Sequence, residues 1–140
     1  MDVACRVFVY GTLKPGEYYY ADYCAPTVIA AQEAIVWGKL YHLPMGYPAL
    51  TEGDRPIQGS LLTFPGAEIL EMLDDLEGYD PLRSPWENEY ERRTTDVFGS
   101  DRRSLGLAWS YWMTEAQVQQ WHGILCEDNV WSGAQARSWM

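Results

Sequence analysis

Short apolar segments with the character of β-strands recur along the chain, and several of them contain an internal glycine. Glycine inside a strand marks a bulge or a sharp bend, which lets a small sheet curve or close on itself. The predicted strands are residues 6–11, 35–43, 49–51, 57–64, 90–98 and 105–112. Two longer helices are predicted, at residues 67–77 and from residue 114 onward, so helices do not alternate with strands as in a doubly wound sheet. We expect an α+β fold, a small mixed β-barrel or curved sheet of about five to seven strands with two helices.

Local signals define two of these elements more closely. Gly38 lies inside its predicted strand and indicates a kink or bulge there. A capping box at residues 114–117 is typical of a helix N-terminus. The apolar residues expected on one face of that second helix are Val118, Trp121 and Leu125.

Length and charge exclude several classes of protein. A chain of 140 residues is expected to form a single domain. Its formal charge of −10 argues against a nucleic-acid-binding surface and against a basic membrane-surface helix. Charged residues make up only 21% of the chain and aromatic residues 14%, which excludes intrinsic disorder. No apolar run reaches the ~20 residues of a membrane-spanning helix, and we interpret the N-terminus as a first strand and not a signal peptide.

The three cysteines, Cys5, Cys24 and Cys126, are odd in number and widely spaced. Because no C-x-x-C pair exists, the sequence indicates neither a disulfide framework nor a zinc site. We expect buried thiols in a reducing compartment, the cytoplasm. With only His42 and His122 as histidines, no metal site is predicted.

The helix at residues 67–77 carries one acidic side chain on its apolar face. At about 100° per residue, one stripe of the helix is apolar and contains Ile69, Leu70, Met72, Leu73 and Leu76. The acids placed on the solvent face are Glu71, Asp74 and Asp75. Glu77 falls inside the apolar stripe, at the helix C-terminus and just before Gly78, a predicted C-cap.

The position of Glu77 makes it a candidate general base. Burial and the negative end of the helix dipole both disfavour its anion and should raise its pKa from about 4.3. A carboxylate tuned towards neutral pH is what general acid–base catalysis needs. The alternative is a frayed helix end that turns Glu77 into solvent.

The turn at Tyr10, Gly11, Thr12 and Leu13 is a second candidate feature. A strand ends at the glycine, and several backbone N–H groups lose their partners in the sheet. Such turns can form a nest for a carboxylate or an oxyanion. Most turns of this kind bind nothing, so the motif is weak by itself.

Tyr90 and Arg92 form the third feature, on a predicted strand that follows a loop. Alternation along the strand places both side chains on one face. The alternative is a solvated charge pair with the tyrosine on the surface.

Taken jointly, these features resemble the gamma-glutamylcyclotransferase family, in the small branch that includes the plant avirulence-induced-gene-like proteins. The resemblance extends from about residue 7 to residue 112. It rests on Tyr10-Gly11-Thr12-Leu13-Lys14-Pro15-Gly16, Gly38-Lys39-Leu40-Tyr41, Gly46-Tyr47-Pro48-Ala49-Leu50, Ile57-Gln58-Gly59-Ser60-Leu61, Leu73-Asp74-Asp75-Leu76-Glu77-Gly78-Tyr79 and Tyr90-Glu91-Arg92.

The resemblance implies an α+β fold built on a β-barrel and an enzyme that uses no metal or organic cofactor. Members of the family release 5-oxoproline (pyroglutamate) and an amine or amino acid, because the α-amine of a γ-glutamyl compound attacks its own γ-carbonyl. The catalytic acid/base of the family falls on Glu77, and its substrate-binding loop falls on residues 10–13. We expect Tyr10, Tyr47 and Tyr90 to line the pocket.

The sequence departs from the family pattern in three places. Residues 17–20 are Glu-Tyr-Tyr-Tyr, where many relatives have a polar stretch that borders the site. The loop at residues 80–89 is long, with two prolines and Trp86, and is a candidate lid. The tail at residues 126–140 has no counterpart; its Trp131 and Trp139 could cover the barrel end or mark an interface with another subunit.

A non-catalytic binding or interaction module on the same fold is the main alternative to an enzyme. A Ser or Cys hydrolase is a poor third hypothesis, because the chain has no G-x-S-x-G elbow. The expected partner is a small γ-glutamyl compound, with neither nucleic acid nor membrane. The sequence leaves open the identity of the leaving amine and the oligomeric state.

Overall fold

The computed structural model describes residues 4–134 of the chain. In this range its strands are β1 (Cys5–Val9), β2 (Ala30–His42), β3 (Pro48–Phe64), β4 (Glu91–Phe98), β5 (Ser104–Trp112) and β6 (Ile124–Leu125). Its α-helices are α1 (Ile69–Leu76) and α2 (Glu115–Gln120), with a π-helical turn at Tyr20–Cys24 and a 3-10 turn at Pro85–Glu87.

Five of the strands form a closed barrel. They are hydrogen-bonded in the order β3, β1, β5, β4 and β2, and β2 pairs with β3 to close the ring. Most neighbours are antiparallel, but β1 and β5 run parallel through Val7 and Trp109. The short β6 pairs with the end of β2. This mixed barrel, with helices outside it, confirms the predicted α+β fold.

Strand alternation divides the apolar core into two clusters on opposite faces of the barrel wall. Phe8 faces one cluster, which draws side chains from all five barrel strands and is therefore the barrel interior. Val7 and Val9 face the other cluster, between the barrel wall and α1. The turn after β1 therefore leaves the barrel directly beside the end of this helix.

The third strand differs from its prediction. Residues 49–51 and 57–64 were predicted as separate strands, but β3 is continuous from Pro48 to Phe64. Its pairing with β2 shifts register between Gly38 and Lys39, which confirms the bulge predicted at Gly38. Because Gly38 pairs with Arg55 and Lys39 with Thr51, residues 52–54 form the extra length on β3.

The first helix is shorter than predicted, and its predicted C-cap is confirmed. Gly78 has φ of +65°, its N–H donates to Asp75 O, and Tyr79 N–H donates to Asp74 O at 2.9 Å. These two bonds form a Schellman motif, which satisfies carbonyl groups that the helix would otherwise leave unpaired. Of the predicted apolar stripe, Met72 alone is exposed.

The second helix begins as predicted and ends early. Thr114 Oγ1 accepts from the N–H of Gln117, whose side chain accepts in return from Thr114 N–H, so the capping box is confirmed. The expectation that Leu125 lies on this helix is wrong. The chain takes a left-handed conformation at His122, with φ of 58°, and Leu125 belongs to β6. Within residues 4–134, every helix is too short or too polar to span a bilayer.

The described part of the tail packs against the barrel. Trp131 is 2% exposed and belongs to the barrel-interior cluster. Its indole N–H donates to Nδ1 of His42 at 3.1 Å, and Asn129 O accepts from Gln58 N on β3. Of the two roles considered for the tail, cover of the barrel end or contact with another subunit, the position of Trp131 fits the first, because this side chain fills core volume. Trp139 lies outside the described residues.

Replacing Trp131 by alanine is expected to lower the free energy of unfolding by about 3–5 kcal/mol, because it removes a large side chain from the core and leaves a cavity. Urea denaturation followed by circular dichroism measures the change. Trp86→Ala is the matched control: that indole is 82% exposed, so its loss should change stability by less than about 0.5 kcal/mol. Equal effects of the two substitutions would contradict the core role of Trp131.

Candidate active site

A cavity of about 130 Å³ lies where the end of α1 meets the barrel. Its walls come from the turn after β1, the start of β3, the end of α1, the segment before β4, and β5. A water molecule needs roughly 10–15 Å³ of such volume, so the cavity has room for a ligand the size of a glutamyl group.

Seven of the residues singled out from the sequence line this one cavity, whereas Arg92 does not. They are Tyr10, Gly11, Thr12, Leu13, Tyr47, Glu77 and Tyr90. Sequence reasoning missed two polar residues in the same walls, Glu89 and Tyr111. The signal for Glu89 was its place directly before Tyr90, whereas nothing local in the sequence distinguishes Tyr111 from the other aromatic residues of β5.

The turn after β1 is held against the start of β3 by close packing at Gly11. A Cβ atom on Gly11 would lie 2.4 Å from Cγ of Pro48, so only glycine fits at this position. The hydrogen bonds of the turn use the carbonyl groups of Gly11 and Thr12 as acceptors, from Lys14 N and Tyr19 N. Among the described residues, the N–H groups of residues 11–13 donate no hydrogen bond within this turn. They are therefore available to a ligand.

Glu77 is half-buried at the residue that ends α1, and it lines the cavity. Burial, and secondarily the negative charge of Glu89, raise the pKa of Glu77 from 4.5 to about 8. The alternative of a frayed helix end that points into solvent does not describe this residue, because Glu77 N–H donates to Leu73 O and the Schellman motif holds the next residues.

Glu89 is fixed beside Glu77 by its neighbours. Its carboxylate accepts a hydrogen bond from the phenol of Tyr47, and its backbone N–H donates to Gly78 O at 3.0 Å. A Cβ atom on Gly78 would lie 3.3 Å from Oε2 of Glu89 and 3.1 Å from its Cβ. The glycine after Glu77 therefore serves twice, since it takes the left-handed conformation and leaves room for a second carboxylate.

The buried tyrosines of the cavity are already committed as hydrogen-bond donors. The phenol of Tyr10 donates to Tyr111 O at 2.6 Å, and that of Tyr90 donates to Pro48 O at 2.5 Å. Burial raises the pKa of both Tyr10 and Tyr90 well above 10.0. These phenols stay protonated at neutral pH and cannot act as bases.

Asp74 corrects the prediction from the helical wheel. It was placed on the solvent face with Glu71 and Asp75, but its side chain is only 14% exposed and pairs with Nε of Arg92 at 2.8 Å. Tyr111 Oη also donates to Asp74, at 2.7 Å. The reading of Arg92 as a solvated charge is therefore wrong, because its guanidinium joins α1 to β4 and lies 4.4 Å from the ring centroid of Trp109.

The cavity walls contain two carboxyl groups and, within residues 4–134, no Lys, Arg or His. The described residues hold no group of three or more His, Cys, Asp and Glu side chains that could bind a metal ion. All three cysteines are buried free thiols outside the cavity, and burial raises the pKa of Cys24 and Cys126 to about 12. Glu77 and Glu89 are therefore the two carboxyl groups that a ligand in this cavity would meet.

Comparison with known proteins agrees, over most of the chain, with the family resemblance found in the sequence. The family model "Gamma-glutamyl cyclotransferase, AIG2-like" matches residues 7–133. Among solved structures, an AIG2-like protein of Mus musculus is 18% identical, with a TM-score of 0.70 over 91% of this chain and 88% of that chain. A protein of Arabidopsis thaliana solved in solution is 23% identical, with a TM-score of 0.59 over 78% of this chain and 68% of that one.

A protein specific to uropathogenic E. coli is 12% identical to this chain, with a TM-score of 0.60 over 99% of this chain and 98% of that one. At these identities the solved structures show a shared fold and nothing finer. No curated protein sequence is similar enough to count as a match.

Glu77→Gln is expected to raise the free energy of unfolding near pH 8 by about 2–4 kcal/mol and to leave it unchanged near pH 3.5. The native state keeps the Glu77 proton up to about pH 8, whereas the unfolded chain loses it near pH 4.5. The wild-type protein therefore loses stability as the pH rises between these values, and glutamine removes that loss. Urea denaturation at several pH values measures the difference.

The control for this measurement is Glu71→Gln. Glu71 is exposed on the same helix, so its replacement should give a small difference that does not grow between pH 4.5 and pH 8. A pH-independent effect of Glu77→Gln would contradict the raised pKa.

Proposed function

Because the chain belongs to the gamma-glutamyl cyclotransferase, AIG2-like family, we propose that it is an enzyme that releases 5-oxoproline and a free amine or amino acid from a small γ-glutamyl compound. The observation that carries the proposal is Glu77, a carboxyl group with a pKa of about 8 in a cavity beside the turn at residues 10–13. The three buried free thiols favour a reducing compartment, and we place the activity in the cytoplasm.

The cavity suits a zwitterionic glutamyl head group. With no cationic side chain in its described walls, the α-carboxylate is received by the backbone N–H groups of residues 11–13. The α-ammonium group faces the two carboxyl groups, Glu77 and Glu89. The phenols of Tyr10 and Tyr90 give the remaining wall and can accept hydrogen bonds at their oxygens.

Glu77 moves the protons of the reaction. As a carboxylate it takes a proton from the α-ammonium group, and the neutral amine then attacks the γ-carbonyl carbon to close a five-membered ring. The C–N bond to the leaving amine breaks, and the proton held by Glu77 passes to the leaving nitrogen. On ring closure the attacking nitrogen loses a second proton. The leaving nitrogen gains this proton as well, so the amine is released as an ammonium ion and no water is consumed.

The raised pKa of Glu77 matches this task. A free α-amine has a pKa of about 7.7–8.0, and Glu77 has a pKa of about 8, so the proton transfers between them at little cost in free energy. The attack is intramolecular, and the protein mainly has to hold the chain of the substrate in a ring-closing conformation. Positioning and one proton carrier are sufficient for this chemistry.

Glu77→Gln is expected to abolish 5-oxoproline release, because the amide cannot accept the proton of the α-ammonium group. Mass spectrometry of a panel of γ-glutamyl amides and γ-glutamyl amino acids measures the product. Glu71→Gln, on the exposed side of α1, should keep wild-type activity. Retained activity in Glu77→Gln would overturn the mechanism, and a wild-type protein that binds these compounds without releasing product would instead be a non-catalytic binding module.

The pH profile of kcat/KM gives a second test. Its acid limb is expected to fall below about pH 8, the pKa of Glu77. Glu89→Gln should move that limb to lower pH, since the negative charge of Glu89 is one of the two causes of the raised pKa. Glu71→Gln should leave the limb in place. An unchanged limb in Glu89→Gln would show that Glu89 does not influence the catalytic carboxyl group.

A further inference from the structure

A wider groove of about 730 Å³ opens next to the catalytic cavity. Tyr47, Glu89 and Tyr90 line both spaces, so the groove continues from the cavity past these three side chains. The side chain of Gln117 on α2 donates to Glu89 O at 3.3 Å and to Asn88 O at 3.2 Å. Because these bonds tie α2 to the segment before β4, the junction between the two spaces is held in place without a ligand.

The groove exposes an unusual amount of apolar side chain. Trp86 is 82% exposed, Trp121 45% and Met45 43%, and all three line it. Large apolar side chains that converge on one concave surface are typical of a binding site. A γ-glutamyl head group fills only the inner cavity, so this surface is left for the rest of the substrate.

The charge of the groove is negative. Its acidic lining residues are Glu87, Glu89 and Glu91, and its basic lining residue within residues 4–134 is Arg93. Arg93 is already engaged: its Nη1 lies 3.1 Å from Glu52 and its Nε lies 3.9 Å from Glu91. Its guanidinium also lies 4.9 Å from the ring centroid of Trp112.

Two buried hydrogen-bond donors beside the groove do not make it more favourable for a bound carboxylate. Nε of Arg93 and the indole N–H of Trp112 have no hydrogen-bond partner among the described residues, but both atoms lie beneath the accessible surface. Neither atom can reach a bound carboxylate without rearrangement. A leaving group that carries a carboxylate would therefore meet three acidic side chains and a single arginine, which already lies beside the carboxylates of Glu52 and Glu91.

We propose that this groove binds the amine half of the substrate and selects apolar amines that carry a second positive charge over leaving groups that carry a carboxylate. The inference rests on the proposed function, because the γ-carbonyl carbon must lie near Glu77 and the leaving nitrogen then faces the junction at Tyr47 and Glu89. The apolar body of the amine packs on Trp86 and Trp121, and its distal ammonium group lies among the acidic side chains.

The test uses four γ-glutamyl amides. Three are amides of benzylamine with a para aminomethyl, methyl or carboxylate group, which keep one aromatic body and change only the charge. The fourth is the methylamide, which cannot occupy the groove. Two quantities are measured: kcat/KM for 5-oxoproline release by the wild-type protein, and the dissociation constant of each intact amide from Glu77→Gln by calorimetry.

We expect the aminomethyl compound to be preferred over the carboxylate by about tenfold in both measurements, with the methyl compound between them. The double substitution Glu87→Gln and Glu91→Gln should reduce this preference to about threefold or less. Trp86→Ala should weaken all three benzylamides relative to the methylamide. The matched controls are Glu71→Gln and Trp37→Ala, which lie outside both spaces and should preserve both preferences.

The inference would be overturned if the carboxylate compound were bound and turned over as well as the aminomethyl compound, or better. A preference for the aminomethyl compound that survives the double substitution unchanged would also overturn it. Failure of the proposed function would give a different combination of results in the two measurements. If the wild-type protein releases no 5-oxoproline but Glu77→Gln binds the amides in the expected order, the groove assignment stands and the enzyme assignment fails. Absence of both release and binding overturns both.

Discussion

The ion pair between Asp74 of α1 and Arg92 of β4 holds the C-terminal end of the helix, which borders the candidate site, against the barrel. An eight-residue helix has little stability of its own, so its position depends on such contacts and on the apolar face beneath it. The same Asp74 carboxylate accepts from the phenol of Tyr111, which joins β5 to the arrangement. Since both charges are largely buried, loss of either partner would leave the other uncompensated, at a cost of about 3–5 kcal/mol.

The two spaces of the candidate site are built from different parts of the chain. The inner cavity draws on the turn after β1 and the end of α1, whereas the neighbouring groove draws on the segment before β4 and on α2. Glu89 and Tyr47 belong to both spaces and join them. In such an arrangement, substitutions in the outer groove can change its shape and charge while Glu77 and the turn at residues 10–13 stay as they are.

Local patterns in the sequence predicted the parts of the site that depend on local structure. The helical period placed Glu77 on the apolar face, and the glycine after β1 indicated a turn with free N–H groups. The same reasoning misplaced Asp74, because the wheel shows which way a side chain points and not that Arg92 of a later strand lies opposite. Glu89 and Tyr111 were missed for the same physical reason: contacts between distant segments bring them to the cavity, and no period or spacing encodes those contacts.

The parallel pairing of β1 with β5 has a consequence for how the candidate site forms during folding. Val7 pairs with Trp109, and Tyr10 Oη bonds to the carbonyl of Tyr111 across a separation of 101 residues. Contacts between such distant residues form slowly, because a long loop must close before they contribute. The cavity contains residues from both sides of that closure, so a partly folded chain with only its local hairpins cannot have a complete cavity. Formation of the cavity during refolding would therefore follow the last, global step and not the earlier gain of secondary structure.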